Sequence, residues 1–271
     1  MSVTETFSRL CTEPPFRLIT RAICKILPVS ISTRDIWEIS SRPMYLTGVH
    51  AAAQQAKRQG VAEICVIEFG VASGEGLIAM QTEAGEVEAE TGVAIHVYGF
   101  DAKGLPEFIG DHRDHPDAWR RGDFPMNEHA LRDKLDPKRT RLIIGNVRDT
   151  VQGFVRDYSP APIGFISFDM DLYSSTRDAL NVFTLPDVRM LWHVPLYFDD
   201  IEFIFNYSQA GELLAINEFN SVQKRVCIDR WYGVKRGRPF PDRSYYDKFY
   251  VAHDVGALNH AASLDREARV L

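Results

Sequence analysis

Two pairs of aspartates stand where they could do chemistry together. Asp169-Met170-Asp171 ends one apolar run, IGFISF, and Asp199-Asp200 ends another, LWHVPLYF, thirty residues later. If those runs are neighbouring strands, their ends lie roughly 5 Å apart. Carboxylates that close raise each other's pKa and ionise together only around a cation. An oxygen-only ligand set suits a hard divalent ion, Mg²⁺ first. The competing reading is that Asp171 and Asp200 simply favour the N-termini of the helices that follow them. A third group is the turn Glu68-Phe-Gly70-Val-Ala-Ser73-Gly74-Glu-Gly76 after the run ICVIEF. Its G-x-x-x-G-x-G spacing is neither the G-x-G-x-x-G dinucleotide fingerprint nor a phosphate-binding P-loop. Glycines there let the backbone approach a ligand, and Glu68 suits a cationic one such as a sulfonium amino acid. Asp101, after the run AIHVYGF, is placed to accept ribose hydroxyls, and Gly145-Asn146-Val147 to flank an adenine.

The elements that must position these residues alternate regularly. Apolar, β-branched runs at Ile64–Phe69, Ala94–Phe100, Arg141–Ile144, Ile163–Phe168 and Leu191–Phe198 predict strands. Between them, helical patterns run from the glycine turn to Thr91, and over Asn127–Leu135, Val147–Tyr158 and Ser174–Phe183. Leu46–Gln59 before them, stopping at Gly60, and Gln209–Phe219 after them also predict helices. Strands spaced by helices of this length imply βαβ units. The expected fold is therefore α/β, Rossmann-like and doubly wound, a mostly parallel sheet with helices on both faces and an N-terminal helical extension. In such sheets ligands bind beyond the C-terminal strand ends, which is where the glycine turn, Asp101, Gly145–Val147 and the two aspartate pairs fall. Arg225–Ile228 and Lys248–Ala252 are expected as final strands, forming a hairpin. The division expected is residues 1–42 for the extension and 43–271 for the main domain.

Composition bounds the rest. The chain has 271 residues, 31 Lys+Arg, 37 Asp+Glu and 45% apolar residues, the profile of an ordinary globular protein. A formal charge of −6 argues against generic nucleic-acid binding. Four cysteines (Cys11, Cys24, Cys65, Cys227) without a CxxC pair indicate neither a zinc site nor a disulfide framework. The first thirty residues lack the pattern of a secretory signal, no stretch is apolar enough to span a bilayer, and a cytoplasmic location is expected. Thr12–Leu27 predicts an amphipathic helix with Arg17, Arg21 and Lys25 on one face and Phe16, Ile19, Ile23 and Leu27 on another. The expected arrangement packs the apolar face on the main domain and leaves the basic face in solvent, with the helix a candidate surface for a homo-oligomer.

The motifs EFGVASGEGL, GFDAKGLP, GNVRDTV, DMDLYSST-DAL and FDDI, in this order, resemble class I S-adenosylmethionine-dependent methyltransferases. Within that class they resemble the macrocin O-methyltransferase family, metal-dependent enzymes that methylate sugar hydroxyls. The resemblance spans about Tyr45 to Asp200. It implies that Glu68, Gly70, Ser73, Gly74 and Asp101 hold S-adenosylmethionine, with Asn146 and Val147 beside the adenine. Asp169, Asp199 and Asp200 would hold Mg²⁺ or a similar divalent ion. Asp171, or Asp169 while also ligating, would act as the base on a small-molecule acceptor, expected to contain a sugar and to belong to natural-product or polysaccharide biosynthesis. The chain departs from the family at Met170, where a glycine is usual, at Ile201, where a tyrosine is common, and in lacking a Pro-Gly-Gly turn before the fifth strand. The rival readings are a metal-dependent glycosyltransferase using Asp169-Met170-Asp171 and a non-catalytic protein on a methyltransferase fold.

Other ligand-capable residues have simpler roles open to them. Asp111-His112-Arg113-Asp114-His115 sits in a polar loop, Lys103–Pro125, and is expected to cover the acceptor with His112 or His115 rather than bind a metal. Arg225, Arg230, Lys235, Arg236 and Arg238, interleaved with Trp231 and Tyr232, could grip a phosphate or face solvent. Ser174 and Ser175 are expected to cap a helix.

Overall fold

A computed structural model of the chain describes Phe7, residues 16–203 and residues 206–261. Strands β1 (Glu63–Phe69), β2 (Ala94–Asp101), β3 (Thr140–Ile144), β4 (Ile163–Phe168), β5 (His193–Phe198), β6 (Val226–Arg230) and β7 (Phe249–Asp254) form a single sheet. Its order is β3-β2-β1-β4-β5-β7-β6, with β1 to β5 parallel and β7 antiparallel to both neighbours. The central strands β1 and β4 are covered on both faces, which is why they run apolar without alternation. The expected doubly wound sheet and the antiparallel pairing of the last two strands are both present.

The helices among the described residues include α1 (Phe16–Ile26), α2 (Ile31–Ile36), α3 (Pro43–Gln59), α4 (Glu75–Thr91), α5 (Glu128–Arg132), α6 (Val147–Tyr158), α7 (Tyr173–Leu180) and α8 (Gly211–Val222). Helix α3 enters through a proline and stops at Gly60, whose left-handed φ of 67° lets its N–H reach back to the last turn. It packs on α4 and on β4 and β5, whereas α6, α7 and α8 form the layer on the other face. From β1 the chain steps outward through β2 to β3, then crosses back by way of α6 to β4 and outward again to β5, so the switch point lies between β1 and β4. Helix α5 is shorter than its periodicity predicts. Beyond Arg132 the backbone bonds tighten to Lys134 N–H on Leu131 and Leu135 N–H on Arg132, ending the helix ahead of Pro137.

The N-terminal helix corrects an expectation. Residues 12–15 of the predicted helix lie outside the described residues, but over Phe16–Ile26 the polar stripe faces the body of the protein. Arg21 donates to the carbonyls of Trp37 (3.1 Å) and Glu38 (3.0 Å), and Arg17 lies over the Phe240 ring. Phe16, Leu18, Ile19, Ile23 and Ile26 are exposed instead, Ile26 by 84%. Buried carbonyls need donors, and the Arg21 guanidinium supplies one to each of these two at the end of α2, which holds the helix with its polar stripe inward. Among the described residues no helix is long and apolar enough to cross a membrane.

Candidate active site

Strands β1, β4 and β5 end in phenylalanine and β2 carries one just before its last residue, and the register brings these into one row. Phe100, Phe69, Phe168 and Phe198 stand side by side on β2, β1, β4 and β5, with ring centroids 4.8, 5.5 and 4.5 Å apart. Phe154 of α6 packs against this row, which places the rings on that face. Side chains alternate along a strand, so the next residues, Gly70, Asp101, Asp169 and Asp199, turn to the opposite side. The ladder continues through them: Gly70 N–H donates to Phe100, Asp169 to Phe69 and Asp199 to Phe168, at 2.8–3.0 Å. The backbone, rather than the loops, thus sets the carboxylates in a line.

Beyond the row lies a cavity of about 330 Å³. One part is lined by Gly70, Ala72, Asp101, Gly145 and Val147, and the other by Asp169, Asp171, Ser175, Asp199 and Asp200. Leu105, Pro106, Trp119 and Phe124 of the loop after β2 form an apolar wall. Gly70 has φ +85°, and a Cβ there would sit 1.7 Å from the Asp169 carbonyl oxygen, so β1 and β4 approach this closely only with glycine.

Oxygen atoms of Asp169, Asp199 and Asp200 lie within 4.8 Å of one another. Asp171 joins them through its N–H, which donates to Asp200 Oδ2 at 3.0 Å. Asp171 is 7% exposed and has φ +61°, while Leu172 N–H bonds back to Met170 (2.6 Å) across it. That is a γ-turn, a conformation usually avoided, held at the edge of the cavity. Burial first, then the charges of Asp200 and Asp199, push Asp169 up to about 7. Burial and the Asp169 charge raise Asp171, and burial and the Asp171 charge raise Asp200.

Several participants carry no signal in the sequence. Glu212 at the start of α8 accepts from Asp200 N–H (3.0 Å), and its other carboxyl oxygen is buried with no partner among the described residues. Burial and the Asp200 charge hold its pKa well above the usual carboxylate range. Lys248, just before β7, donates to Asp199 Oδ1 (3.1 Å), and Tyr197 O–H donates to the same oxygen (2.9 Å). Arg42 lies over the Tyr45 ring, and its positive charge acts on Asp169, Glu68 and Asp199. No spacing rule links these positions to the aspartates, because each arrives from a different element.

The residues expected at the donor half divide. Gly70, Asp101 and Val147 line the cavity. Asp101 has most of its acceptor capacity committed: Oδ2 takes the N–H groups of Val71 (2.9 Å) and Ala72 (2.8 Å), and Oδ1 that of Lys103 (2.5 Å). Of about four lone-pair sites on a carboxylate, one remains. Glu68 lies behind the cavity, 1% exposed, accepting from Tyr45 O–H at 2.6 Å and pushed by burial up to about 8. Gly74 is needed for packing, since a Cβ would meet Leu131 at 2.2 Å. Ser73 is exposed, and the Asn146 side chain caps α6 through Arg148 N–H (3.0 Å).

The polar loop also departs from expectation. Asp114 is fully buried and caps α7, accepting from Ser174 N–H and Oγ–H (both 2.8 Å) and from Ile109 N–H (2.9 Å). Ser174 is therefore a donor to the cap rather than the cap itself, and Ser175 lines the cavity. His115 packs on Phe203 and His112 stacks with Tyr207, and neither lines the cavity. In the basic stretch, Arg225 pairs with Asp254, Lys235 with Asp247 and Arg238 with Asp35, so these cations are already neutralised within the chain.

No family model matches the sequence, and no curated protein matches it. Among solved structures the chain is similar to the calicheamicin methyltransferase CalS11, 19% identical over 94% of both chains with a TM-score of 0.56. It is also similar to the O-methyltransferase NovP, 17% identical over 76% of this chain and 77% of that one, with a TM-score of 0.50. At these identities the likeness is one of architecture: the chain has the Rossmann-like fold of these methyltransferases.

Proposed function

We propose that the protein is a metal-dependent O-methyltransferase that takes its methyl group from S-adenosylmethionine and acts on a hydroxyl of a small molecule, a sugar or glycoside. One observation carries this reading: the glycine turn with Asp101 and the Asp169–Asp199–Asp200 group open into the same cavity, on a fold shared with methyltransferases. The donor would lie along Gly70, Asp101 and Val147, using the acceptor site left on Asp101. The divalent ion would be held by Asp169, Asp199 and Asp200, whose chemistry fits it: three crowded carboxylates, two of them (Asp169 and Asp200) pushed towards protonation, gain most from a hard cation. Bound there, the donor supplies an activated methyl group and the ion lowers the pKa of an acceptor hydroxyl.

The chain's own residues do the remainder. Asp171 sits at the rim of the acid group with its pKa raised into a range where it can take a proton near neutral pH. Its γ-turn fixes where that carboxylate points, so the base is placed before the acceptor arrives. Leu105, Pro106, Trp119 and Phe124 keep water from the reacting atoms, and their apolar faces suit the C–H side of a sugar ring. A cavity of this size falls in the range of small-molecule sites. A glycosyltransferase reading would use Asp169 and Asp171 but leave Asp101 and the glycine turn without a task.

Calorimetry separates these readings. S-adenosylhomocysteine should bind without metal, and methyl transfer to a vicinal diol acceptor should stop in EDTA and return with Mg²⁺. Binding of sugar nucleotides that requires metal, with no affinity for S-adenosylhomocysteine, would overturn the proposal.

A further inference from the structure

At the end of the sheet opposite the carboxylates, the antiparallel register of β5 and β7 sets His193 directly across from His253. Asp254 N–H donates to the Trp192 carbonyl (2.9 Å), so 192/254 is a hydrogen-bonded pair of the ladder. The adjoining 193/253 is then the narrow pair, with Cα atoms about 4.5 Å apart and side chains at their closest. The rings meet there: the two Nδ1 atoms are 2.8 Å apart and the ring planes stand at 75°. Two imidazole nitrogens this close share a proton, or hold one ion at about 2.0–2.1 Å from each.

The scaffold under them is fixed. Gln55 of α3 clamps the His193 backbone, accepting from its N–H (3.0 Å) and donating to its carbonyl. Beside His253, Asp254 is held by Arg225 (2.8 Å) and accepts from Ala257 N–H (3.0 Å). His193 is exposed and His253 half-buried, so an ion can enter from solvent. Cys227 faces His253 from β6, but Val255 N–H donates to Arg225, which makes 227/253 a wide pair about 5.5 Å across. Its sulfur stands on the far side of His253 from His193, outside the chelate.

We propose that His193 and His253 form a two-imidazole chelate for a transition-metal ion, Zn²⁺ or Cu²⁺. This proposal is independent of the function assigned above. Imidazole prefers such ions, whereas the carboxylate group prefers Mg²⁺ or Mn²⁺, so the two sites sort metals by chemistry. The ion joins β5 to β7, the strands whose other ends meet where Lys248 holds Asp199. Occupancy therefore staples the strand pair that positions one of the carboxylates.

The test is Cu²⁺ binding followed by electron paramagnetic resonance in excess Mg²⁺, with Zn²⁺ calorimetry alongside. The wild type should bind one ion with superhyperfine structure from two equivalent nitrogens. His193→Gln and His253→Gln should each weaken binding by on the order of tenfold or more, while Cys227→Ser leaves it unchanged. Thermal melts of the metal-free variants establish that they fold. Undiminished binding in either histidine variant, a one-nitrogen spectrum, or loss of binding in Cys227→Ser would overturn the chelate.

Discussion

Protons and a divalent ion compete for the same carboxylates, so acid should expel the metal. Asp169 is pushed up to about 7 by burial and by its aspartate neighbours. A group with that pKa is about nine-tenths ionised at pH 8 and about one-tenth at pH 6. If the ion needs Asp169 ionised, its affinity falls roughly tenfold over that interval. Asp200, raised in the same direction, adds to the fall. Stability without metal moves oppositely. The folded pKa lies above the ordinary aspartate value of 3.8, so the stabilising protonation is full below that value and is lost as pH rises through about 7. Between pH 6 and pH 8 that loss is about 1.4 kcal/mol for Asp169, the same tenfold ratio expressed as energy. Mn²⁺ titration by calorimetry at the two pH values measures the first effect, and thermal melts in EDTA the second. An affinity that stays constant, or tightens towards pH 6, would refute the assignment of these carboxylates as ligands.

Other outcomes follow from single contacts. Asp171→Asn should lower turnover by about 10²–10⁴-fold while S-adenosylhomocysteine and Mn²⁺ still bind, as separate kinetics and calorimetry would show. Gly70→Ala places a Cβ 1.7 Å from the Asp169 carbonyl at φ +85°. It should displace Asp169 and weaken Mn²⁺ binding, in addition to about 1–2 kcal/mol of backbone strain. Asp114→Ala leaves the N–H groups of Ser174 and Ile109 without their acceptor. At about 1–3 kcal/mol each it should lower the melting temperature, and it should raise KM for the acceptor by loosening the wall at Trp119. Asp101→Asn should weaken S-adenosylhomocysteine binding by roughly tenfold or more without changing Mn²⁺ affinity.

The line of Gly70, Asp101, Asp169 and Asp199 was legible because it follows from periodicity alone. An apolar run ending in phenylalanine and followed by glycine or aspartate, repeated on four parallel strands, leaves little choice of side or level. The loop after β2 was not legible. Its conformation depends on Asp114 reaching Ser174, sixty residues away, and a polar run looks the same whether it is solvated or capping a distant helix. The orientation of α1 was hidden for a related reason. An amphipathic pattern states that two faces differ but not which one docks, and here the carbonyls of Trp37 and Glu38 decide for the arginines. Glu212, Lys248 and Arg42 reach the acids from elements whose positions only the assembled sheet defines.

If one cavity holds both a methyl donor and a divalent ion, anomalous diffraction from crystals grown with Mn²⁺ and S-adenosylhomocysteine will show the two side by side. A manganese peak should appear among Asp169, Asp199 and Asp200, with the nucleoside along Gly70, Asp101 and Val147. Manganese bound elsewhere, or a nucleoside lying outside that cavity, would contradict it.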